Sequence, residues 1–219
     1  EHPSVHKCFD KLAGEGFEVV KIPVDSKGLI DLSALENQVD EKTVLVSIMA
    51  VNNEVGTIEP VQEIKNIVKR KNSPSLIHVD AVQAFGKVPI NIKKLGADLL
   101  SVSSHKIHGP KGVGALFIKN GIKLSPRVFG GGQEKGIRNG TENTVGIYGF
   151  GIATEEHLKS YKDNIKKDEE IKEPIQEETE NAVNDYETPS EETKEEKVVS
   201  KEEEYLNLME ELAQQTAET

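Results

Sequence analysis

The chain has 219 residues, 36% of them hydrophobic, with a formal net charge of -11 and one cysteine. A chain of this length can bury one sizeable core. A single cysteine excludes an internal disulfide framework and favours a reducing compartment, so we expect a cytoplasmic location, with an organelle as the alternative. The apolar runs are shorter than the roughly 20 residues of a membrane span, and Lys and Arg form no basic stripe for nucleic acid.

The negative charge is concentrated at one end of the chain. Residues 168–219 contain 19 acidic and 4 basic residues, whereas residues 1–167 are nearly balanced. We therefore predict a folded body over 1–167, a disordered acidic linker over 168–200 and a short amphipathic helix over 201–215. Because the first residue is Glu1 rather than Met, we expect the chain to be part of a longer protein.

The body alternates strand-like and helix-like segments. In chain order the pattern predicts a β-rich segment at 17–23, a helix at 32–39 capped by Asp31 or Ser33, a buried strand within 43–51, a helix with Pro60 at its first position, strands at 76–79 and 98–102, a reversed strand at 112–118 after a Gly-Pro turn, and a helix at 145–157. Strands alternating with helices indicate an α/β fold with a mostly parallel sheet.

Polar residues follow three of the predicted strands. Asn52 follows the first, Asp80 and Gln83 follow the second, and Ser103, His105 and Lys106 follow the third. The carboxyl ends of neighbouring parallel strands meet at one edge, which is where open α/β sheets bind ligands. The sequence therefore predicts a ligand site at that edge.

The residue types at this edge suit pyridoxal phosphate. Lys106 offers a primary amine for a Schiff base, Asp80 a carboxylate for the pyridine nitrogen, and Gln83 an amide for the phenolate oxygen. Ser103 and His105 can bind phosphate oxygens. Simpler roles stay open, because Asp80 can cap the following helix, Asn52 can shape a turn, and most lysines lie on the surface.

Two further features concern anions and metals. Residues 130–143 are rich in glycine and include Arg138 and Thr141. They suit a loop that binds an anion, with a plain flexible connection as the alternative. The spacing of His105, His108 and Cys8 does not match a zinc site, so we expect no metal.

The chain resembles the cysteine desulfurases, within the class V aminotransferase group of pyridoxal phosphate enzymes. The matching stretches are EHPSV at 1–5, SIMAVNNEVGTIEP at 47–60, HVDAVQAFGKVPI at 78–90, SVSSHKIHGPKGVGALFI at 101–118 and GGGQEKGIRNGTEN at 130–143. The resemblance covers residues 1 to about 165. It implies the large domain of fold-type I pyridoxal phosphate enzymes, incomplete here.

The same resemblance implies roles for individual residues. His2 would stack on the cofactor ring and assist proton transfer, and Lys106 would be the Schiff-base lysine. The implied cofactor contacts come from Asn52, Asp80, Gln83, Ser103 and His105, while Thr141 would reach the phosphate of the neighbouring subunit in a homodimer. The implied reaction converts L-cysteine to L-alanine and a persulfide, which passes to an iron–sulfur scaffold or another sulfur acceptor.

The chain departs from this family in three ways. It begins after the phosphate-binding glycine turn, no cysteine follows Lys106, and the acidic tail replaces the small domain. Cys8, upstream in a helix-like stretch, is an unsuitable sulfur acceptor, so we expect this chain alone to be inactive or incomplete. The alternatives are a non-catalytic interaction protein that uses the acidic tail, and another class V activity such as selenocysteine cleavage.

Overall fold

The computed structural model of the protein describes residues 1–161, which form one open sheet with helices. The strands are β1 (Leu45–Met49), β2 (Leu76–Asp80), β3 (Leu99–Ser103) and β4 (Gly114–Ile118), in the spatial order β1-β2-β3-β4. β1, β2 and β3 are parallel, and β4 is antiparallel to β3. This topology confirms the predicted α/β fold and its mostly parallel sheet.

Five helices accompany the sheet in the described residues: α1 (Pro3–Gly14), α2 (Leu32–Gln38), α3 (Val61–Arg70), α4 (Ile92–Leu95) and α5 (residues 144–161). The side chain of Asp31 accepts a hydrogen bond from the Ala34 N–H, at 2.9 Å, and so caps α2 as predicted. Pro60 is the N-cap of α3 rather than its first helical residue. The short helix α4 was not predicted.

One face of the sheet carries the core. Alternate residues of the strands, such as Ile48, Val79 and Leu100, are buried in one cluster with Ile64 and Ile67 of α3. Each such side chain stabilises the fold by about 1.5–3 kcal/mol relative to an exposed one. The opposite face holds the half-buried residues Ser47, His78 and Ser101.

Two predictions need comment. The segment at 17–23, β-rich in sequence, forms no β-strand: within residues 1–161 no strand pairs with it, and Phe17 and Val20 are exposed. The predicted helix at 145–157 is confirmed and spans 144–161 in the described part of the chain. The predicted acidic linker (168–200) and terminal helix (201–215) lie outside the described residues.

Candidate active site

The carboxyl ends of β1, β2 and β3 form the edge that the sequence predicted. Met49 of β1 pairs with Asp80 of β2, and Asp80 pairs with Ser101 of β3. The register therefore places the residues that follow these strands at one side of the sheet. Ser103 is the last residue of β3, and Lys106 comes three residues later.

A single turn of 3-10 helix, Ser104–Ile107, carries the lysine and is called the lysine turn below. Its first and last residues are anchored, since Ser104 is 0% and Ile107 1% exposed. The Gly109 N–H donates to the Ser104 carbonyl at 3.0 Å, and His108 closes the turn in the left-handed region. The buried anchors hold Lys106 half-buried and leave His105 exposed.

Asp80 is the buried carboxylate of this edge, at 6% exposure. Its Oδ1 accepts a hydrogen bond from the Val82 N–H at 2.9 Å, which stabilises the turn after β2. Within residues 1–161, its Oδ2 accepts no hydrogen bond. Asp80 therefore shapes a local turn rather than capping a helix, because no helix begins directly after β2, and it still has an oxygen for a ligand.

Ser103 and His105 lie side by side. The Ser103 Oγ and the His105 Nδ1 are 2.8 Å apart and share a hydrogen bond. Because one is half-buried and the other exposed, both have edges that face outward from the lysine turn. The pair supplies neighbouring hydroxyl and imidazole groups, the types that bind phosphate oxygens.

Two predicted amides take part in local structure. The Asn52 Oδ1 accepts from the N–H groups of Glu54 and Val55, both at 2.9 Å, which is the turn role that the sequence left open. The Gln83 Oε1 accepts from the Lys87 Nζ at 2.9 Å. In each case the side-chain oxygen is engaged, so a ligand contact would use the NH₂ group.

His2 lies at the chain start, as the N-cap of α1. Its Nδ1 is 2.8 Å from the Ser4 Oγ and accepts from the Ser4 N–H at 3.2 Å. The neighbouring Glu1, which the sequence analysis did not select, accepts from the Met49 N–H at 2.6 Å. Burial raises the pKa of the Glu1 carboxyl, and the nearby negative charge of Asp80 adds to the effect. Glu1 thus ties the start of the chain to the strand-end edge.

Thr141 is exposed in a loop that is held by its own hydrogen bonds. The Asn139 side chain donates to the Val128 and Gly136 carbonyls, at 2.8 and 3.1 Å, and accepts from the Gly132 N–H at 2.7 Å. The Gly140 N–H donates to the Gln133 Oε1 at 3.0 Å. These bonds give the loop a defined local conformation. Thr141 makes no described contact with Asp80 or Lys106.

A polar chain that no sequence pattern indicated crosses the sheet. The His78 ring lies 2.8 Å from the Ser47 Oγ through Nδ1 and 2.8 Å from the Ser101 Oγ through Nε2. The three residues come from three strands, 31 and 23 positions apart, so no local spacing marks them. The available signal was that each occupies the polar face of its strand.

Comparison with known proteins identifies the family. The model of the family described as Aminotransferase class-V matches residues 1–210. The chain belongs to the class V aminotransferase family. Among curated relatives, a cysteine desulfurase IscS of Clostridium botulinum is 50% identical over 155 residues, 71% of this chain and 38% of the relative. The chain thus spans about two fifths of that relative's length.

Two solved structures extend the comparison. A protein titled NIFS-like protein is 50% identical, with a TM-score of 0.72 over 74% of this chain and 45% of its own. A structure titled SspA in complex with cysteine is 38% identical, with a TM-score of 0.66 over 70% and 44%. Together with the family match, these neighbours confirm the fold-type I assignment and the resemblance to cysteine desulfurases.

Class V aminotransferases and cysteine desulfurases depend on pyridoxal phosphate, and the residues at the strand-end edge fit that group. They supply a half-buried primary amine on Lys106, a buried carboxylate with a free oxygen on Asp80, and the Ser103–His105 pair. The observation that decides the fit is the placement of Asp80 and Lys106 at the ends of adjacent strands.

Three further observations describe the chemistry outside this edge. Cys8, the single cysteine, is exposed on α1, where its Sγ donates to the Ser4 carbonyl at 3.1 Å. Among residues 1–161, no three His, Cys, Asp or Glu side chains cluster so as to hold a metal ion. In the same part of the chain, no helix combines the length and apolar character needed to cross a bilayer.

Proposed function

We propose that this chain carries the cofactor-binding edge of a pyridoxal phosphate-dependent cysteine desulfurase. The observation that carries the proposal is the pair Asp80 and Lys106 at the ends of β2 and β3, which are hydrogen-bonded neighbours. The similarity to cysteine desulfurases over about 70% of the chain supports the choice within the class V family. The reaction would remove sulfur from L-cysteine, leaving L-alanine and a persulfide.

Each residue of the edge has a task that suits its position. Lys106 would hold the cofactor aldehyde through its amine, and the amine would carry protons once substrate takes its place. Asp80 would keep the ring nitrogen protonated, since its free oxygen is buried and negatively charged. Ser103 and His105 would hold the phosphate, and Gln83 and Asn52 would donate N–H groups to the ring oxygen. When bound, the cofactor supplies an electron sink.

His2 is proposed to assist proton transfer above the ring. Its neighbour Glu1 is held on the Met49 amide beside Asp80, so the start of α1 lies at the same edge. The ring of His2 is exposed. Its Nδ1 is hydrogen-bonded to Ser4, and its Nε2 is not part of that contact. An exposed imidazole at this position can exchange protons with substrate and water.

This chain lacks a suitable sulfur acceptor for desulfurating cysteine alone. The only thiol is that of Cys8, which lies on α1 and bonds the Ser4 carbonyl. Sulfur transfer to form a persulfide requires a thiolate that attacks the sulfur of the substrate. We therefore propose that a thiol outside these 219 residues completes the reaction and that this chain alone does not desulfurate cysteine.

The partners follow from the same proposal. We propose a homodimer, in which the ordered loop at 130–143 presents Thr141 to the neighbouring subunit, and a sulfur acceptor such as an iron–sulfur scaffold. We propose a cytoplasmic location, because a persulfide chemistry and a free thiol suit a reducing compartment. Selenocysteine cleavage stays the nearest alternative activity, since the residues at this edge would contact the cofactor rather than the sulfur or selenium atom of the substrate.

A non-catalytic role is the second candidate, and one observation favours it. Val145, Tyr148 and Ile152 form an apolar stripe on α5 and are 82%, 73% and 44% exposed. An exposed stripe of this kind is typical of an interaction surface. A chain without cofactor that still binds a partner through this stripe would fit this second role.

The decisive experiment tests Lys106 directly. Purified chain mixed with pyridoxal phosphate should develop a visible absorbance band, and borohydride reduction should fix the cofactor on Lys106, as read by peptide mass spectrometry. Lys106→Ala should abolish both signals. Lys111→Ala is the matched control, because Lys111 is an exposed lysine five residues further along, and it should keep both.

Two outcomes would contradict the proposal. If the wild-type chain gives no band with added cofactor, it does not form the cofactor site. If the cofactor is fixed on Lys111 or on several lysines equally, the lysine turn has no special role. Alanine released from cysteine by the chain plus an added thiol protein, measured against selenocysteine, then separates the two activities.

A further inference from the structure

The polar chain Ser47–His78–Ser101 lies directly beneath the cofactor edge. Ser47 and His78 are register partners on β1 and β2, and Ser101 of β3 pairs with Asp80. His78 and Asp80 are two residues apart in one strand, so their side chains project from the same face of the sheet. The ring of His78 is thus the neighbour of the Asp80 carboxylate on this face of β2.

The hydrogen bonds hold this ring at both ends. Its Nδ1 and Nε2 are each 2.8 Å from a serine Oγ. A neutral imidazole has one N–H donor and one acceptor nitrogen, and a hydroxyl can match either. Either tautomer therefore satisfies both serines, so the ring needs no additional proton to complete its bonds.

The charge of this ring matters for its neighbour. Burial lowers the pKa of His78, and the negative charge of Asp80, the charged group that acts on it, only partly opposes the shift. The facing groups on β1 and β3 are uncharged hydroxyls. A cationic ring here would attract the Asp80 carboxylate and compete with any cation placed at its free oxygen.

We propose that His78 is a positioning residue: its uncharged ring, clamped between Ser47 and Ser101, ties three strands together and leaves the charge of Asp80 free for the ligand. The part of this proposal that concerns a ligand rests on the proposed function, in which the protonated pyridine nitrogen of the cofactor pairs with Asp80. The clamp itself is a property of the cofactor-free chain. The two parts can be tested separately.

The first test uses the ¹⁵N-labelled full chain without cofactor. The imidazole spectrum at pH 7 should show a neutral ring for His78, assigned by the disappearance of its signals in His78→Gln. Ser47→Ala and Ser101→Ala should each shift the resonance of one ring nitrogen. A doubly protonated ring, or ring signals that ignore both serine variants, would overturn the proposal.

The second test compares pyridoxal phosphate with its analogue in which a CH group replaces the ring nitrogen. His78→Lys places a cation beside Asp80, so it should weaken binding of pyridoxal phosphate by about tenfold or more while changing analogue binding little. His78→Gln, which is neutral and hydrogen-bonding, should bind both as the wild type does. Equal losses for both ligands would mean a merely structural role and would reject the inference.

The two tests distinguish a failure of the proposed function from a failure of the proposed role of His78. If the wild-type chain binds neither compound, the proposed function fails, while the first test still decides whether the ring is neutral and clamped. If His78→Lys does not fold, the first test and the His78→Gln affinities carry the decision. A His78→Gln variant that folds but loses only pyridoxal phosphate would also contradict the proposal, since the neutral substitute should suffice.

Discussion

Ser104 and Gly109 show how closely the lysine turn is packed. A Cβ at position 109 would lie 2.1 Å from the Ser104 Oγ, 3.1 Å from the Ala153 Cβ of α5 and 3.2 Å from the Ser104 carbonyl oxygen. The Ser104 Oγ is buried and has no hydrogen-bond partner in the described residues. The turn that carries Lys106 is therefore set by contact with α5, and glycine is needed at 109 for space.

We predict that Gly109→Ala destabilises the protein by about 1–3 kcal/mol, the usual cost of overpacking, and weakens cofactor binding because the turn must move. Ser104→Ala should be close to neutral, since it removes an oxygen that makes no bond. The double variant should recover most of the loss. Urea unfolding and cofactor titration measure both effects.

A matched control is Gly151→Ala in α5, where nothing lies within 4 Å of the new Cβ. It should stabilise the protein by up to about 1 kcal/mol, because alanine is the better helix former. If Gly109→Ala behaved like Gly151→Ala, the close packing of the lysine turn would be wrong. A double variant no better than Gly109→Ala would instead place the clash on the backbone or on Ala153.

At the scale of elements, α5 is fastened to the lysine turn and to the turn after β2. The ring of His157 on α5 lies 5.8 Å from that of His108, which closes the lysine turn. It also covers Gly86, where a Cβ would meet its Cδ2 at 2.5 Å. Phe150 of α5 packs edge-on against Phe85. The docking of α5 thus bears on the position of Lys106.

We predict that acid weakens this docking. Burial lowers the pKa of His157, and the nearby His108 and Lys87 lower it further. The unfolded chain, with an ordinary histidine pKa near 6.5, therefore binds the proton first as pH falls. The stability is fully present above that value and is lost as pH falls towards the lower pKa of the folded state.

Urea unfolding of wild type and His157→Phe at pH 7.5 and 5.5 measures this effect. The wild type should lose more stability on acidification than the variant, which keeps the aromatic packing and cannot titrate. His78 acts in the same direction but is present in both proteins, so it cancels in the comparison. The half-buried residue His6 on α1 gives the control variant His6→Gln, which should keep the acid loss. An equal loss in His157→Phe would contradict the prediction.

The sequence predicted elements well where one chemical pattern dominated. The continuous apolar runs around Ile48, Val79 and Leu100 gave β1, β2 and β3, because strands buried by a parallel sheet are apolar throughout. The segment 17–23 has strand-like composition but pairs with no strand within residues 1–161, and pairing is a property of the tertiary structure. The 3-10 form of the lysine turn likewise depends on burial of Ser104 and Ile107.

The residues of the candidate site could be predicted to a similar extent as the elements. Asp80 and Lys106 each follow an apolar run, so the rule for strand ends placed them together. The Ser47–His78–Ser101 chain depends on register, which the sequence alone does not provide. The turn-forming bonds of Asn52 and the anchoring of Glu1 on Met49 also require the folded geometry. Their roles toward a cofactor stay predictions.

At the scale of the whole molecule, several large apolar side chains of the described residues are exposed next to the glycine-rich loop in sequence. Val145, Tyr148 and Ile152 line one side of α5, and Phe129, 83% exposed, precedes the loop that carries Thr141. Exposed apolar side chains grouped in this way are normally covered by a binding partner. Because α5 directly follows the Thr141 loop in the chain, we expect a second copy of the chain to cover both.

We predict that Tyr148→Glu weakens self-association by at least about tenfold, because it places a charge in the centre of an apolar interface. Sedimentation equilibrium of the full chain measures the dissociation constant. Val44→Glu is the matched control: Val44 is 66% exposed but lies just before β1, outside the α5 stripe, so this variant should associate as the wild type does.

Cofactor affinity should fall in Tyr148→Glu along with dimer content, because Thr141 would no longer reach the neighbouring phosphate. If Tyr148→Glu stays dimeric, the stripe is not the interface; if it becomes monomeric with unchanged cofactor affinity, Thr141 does not act across subunits.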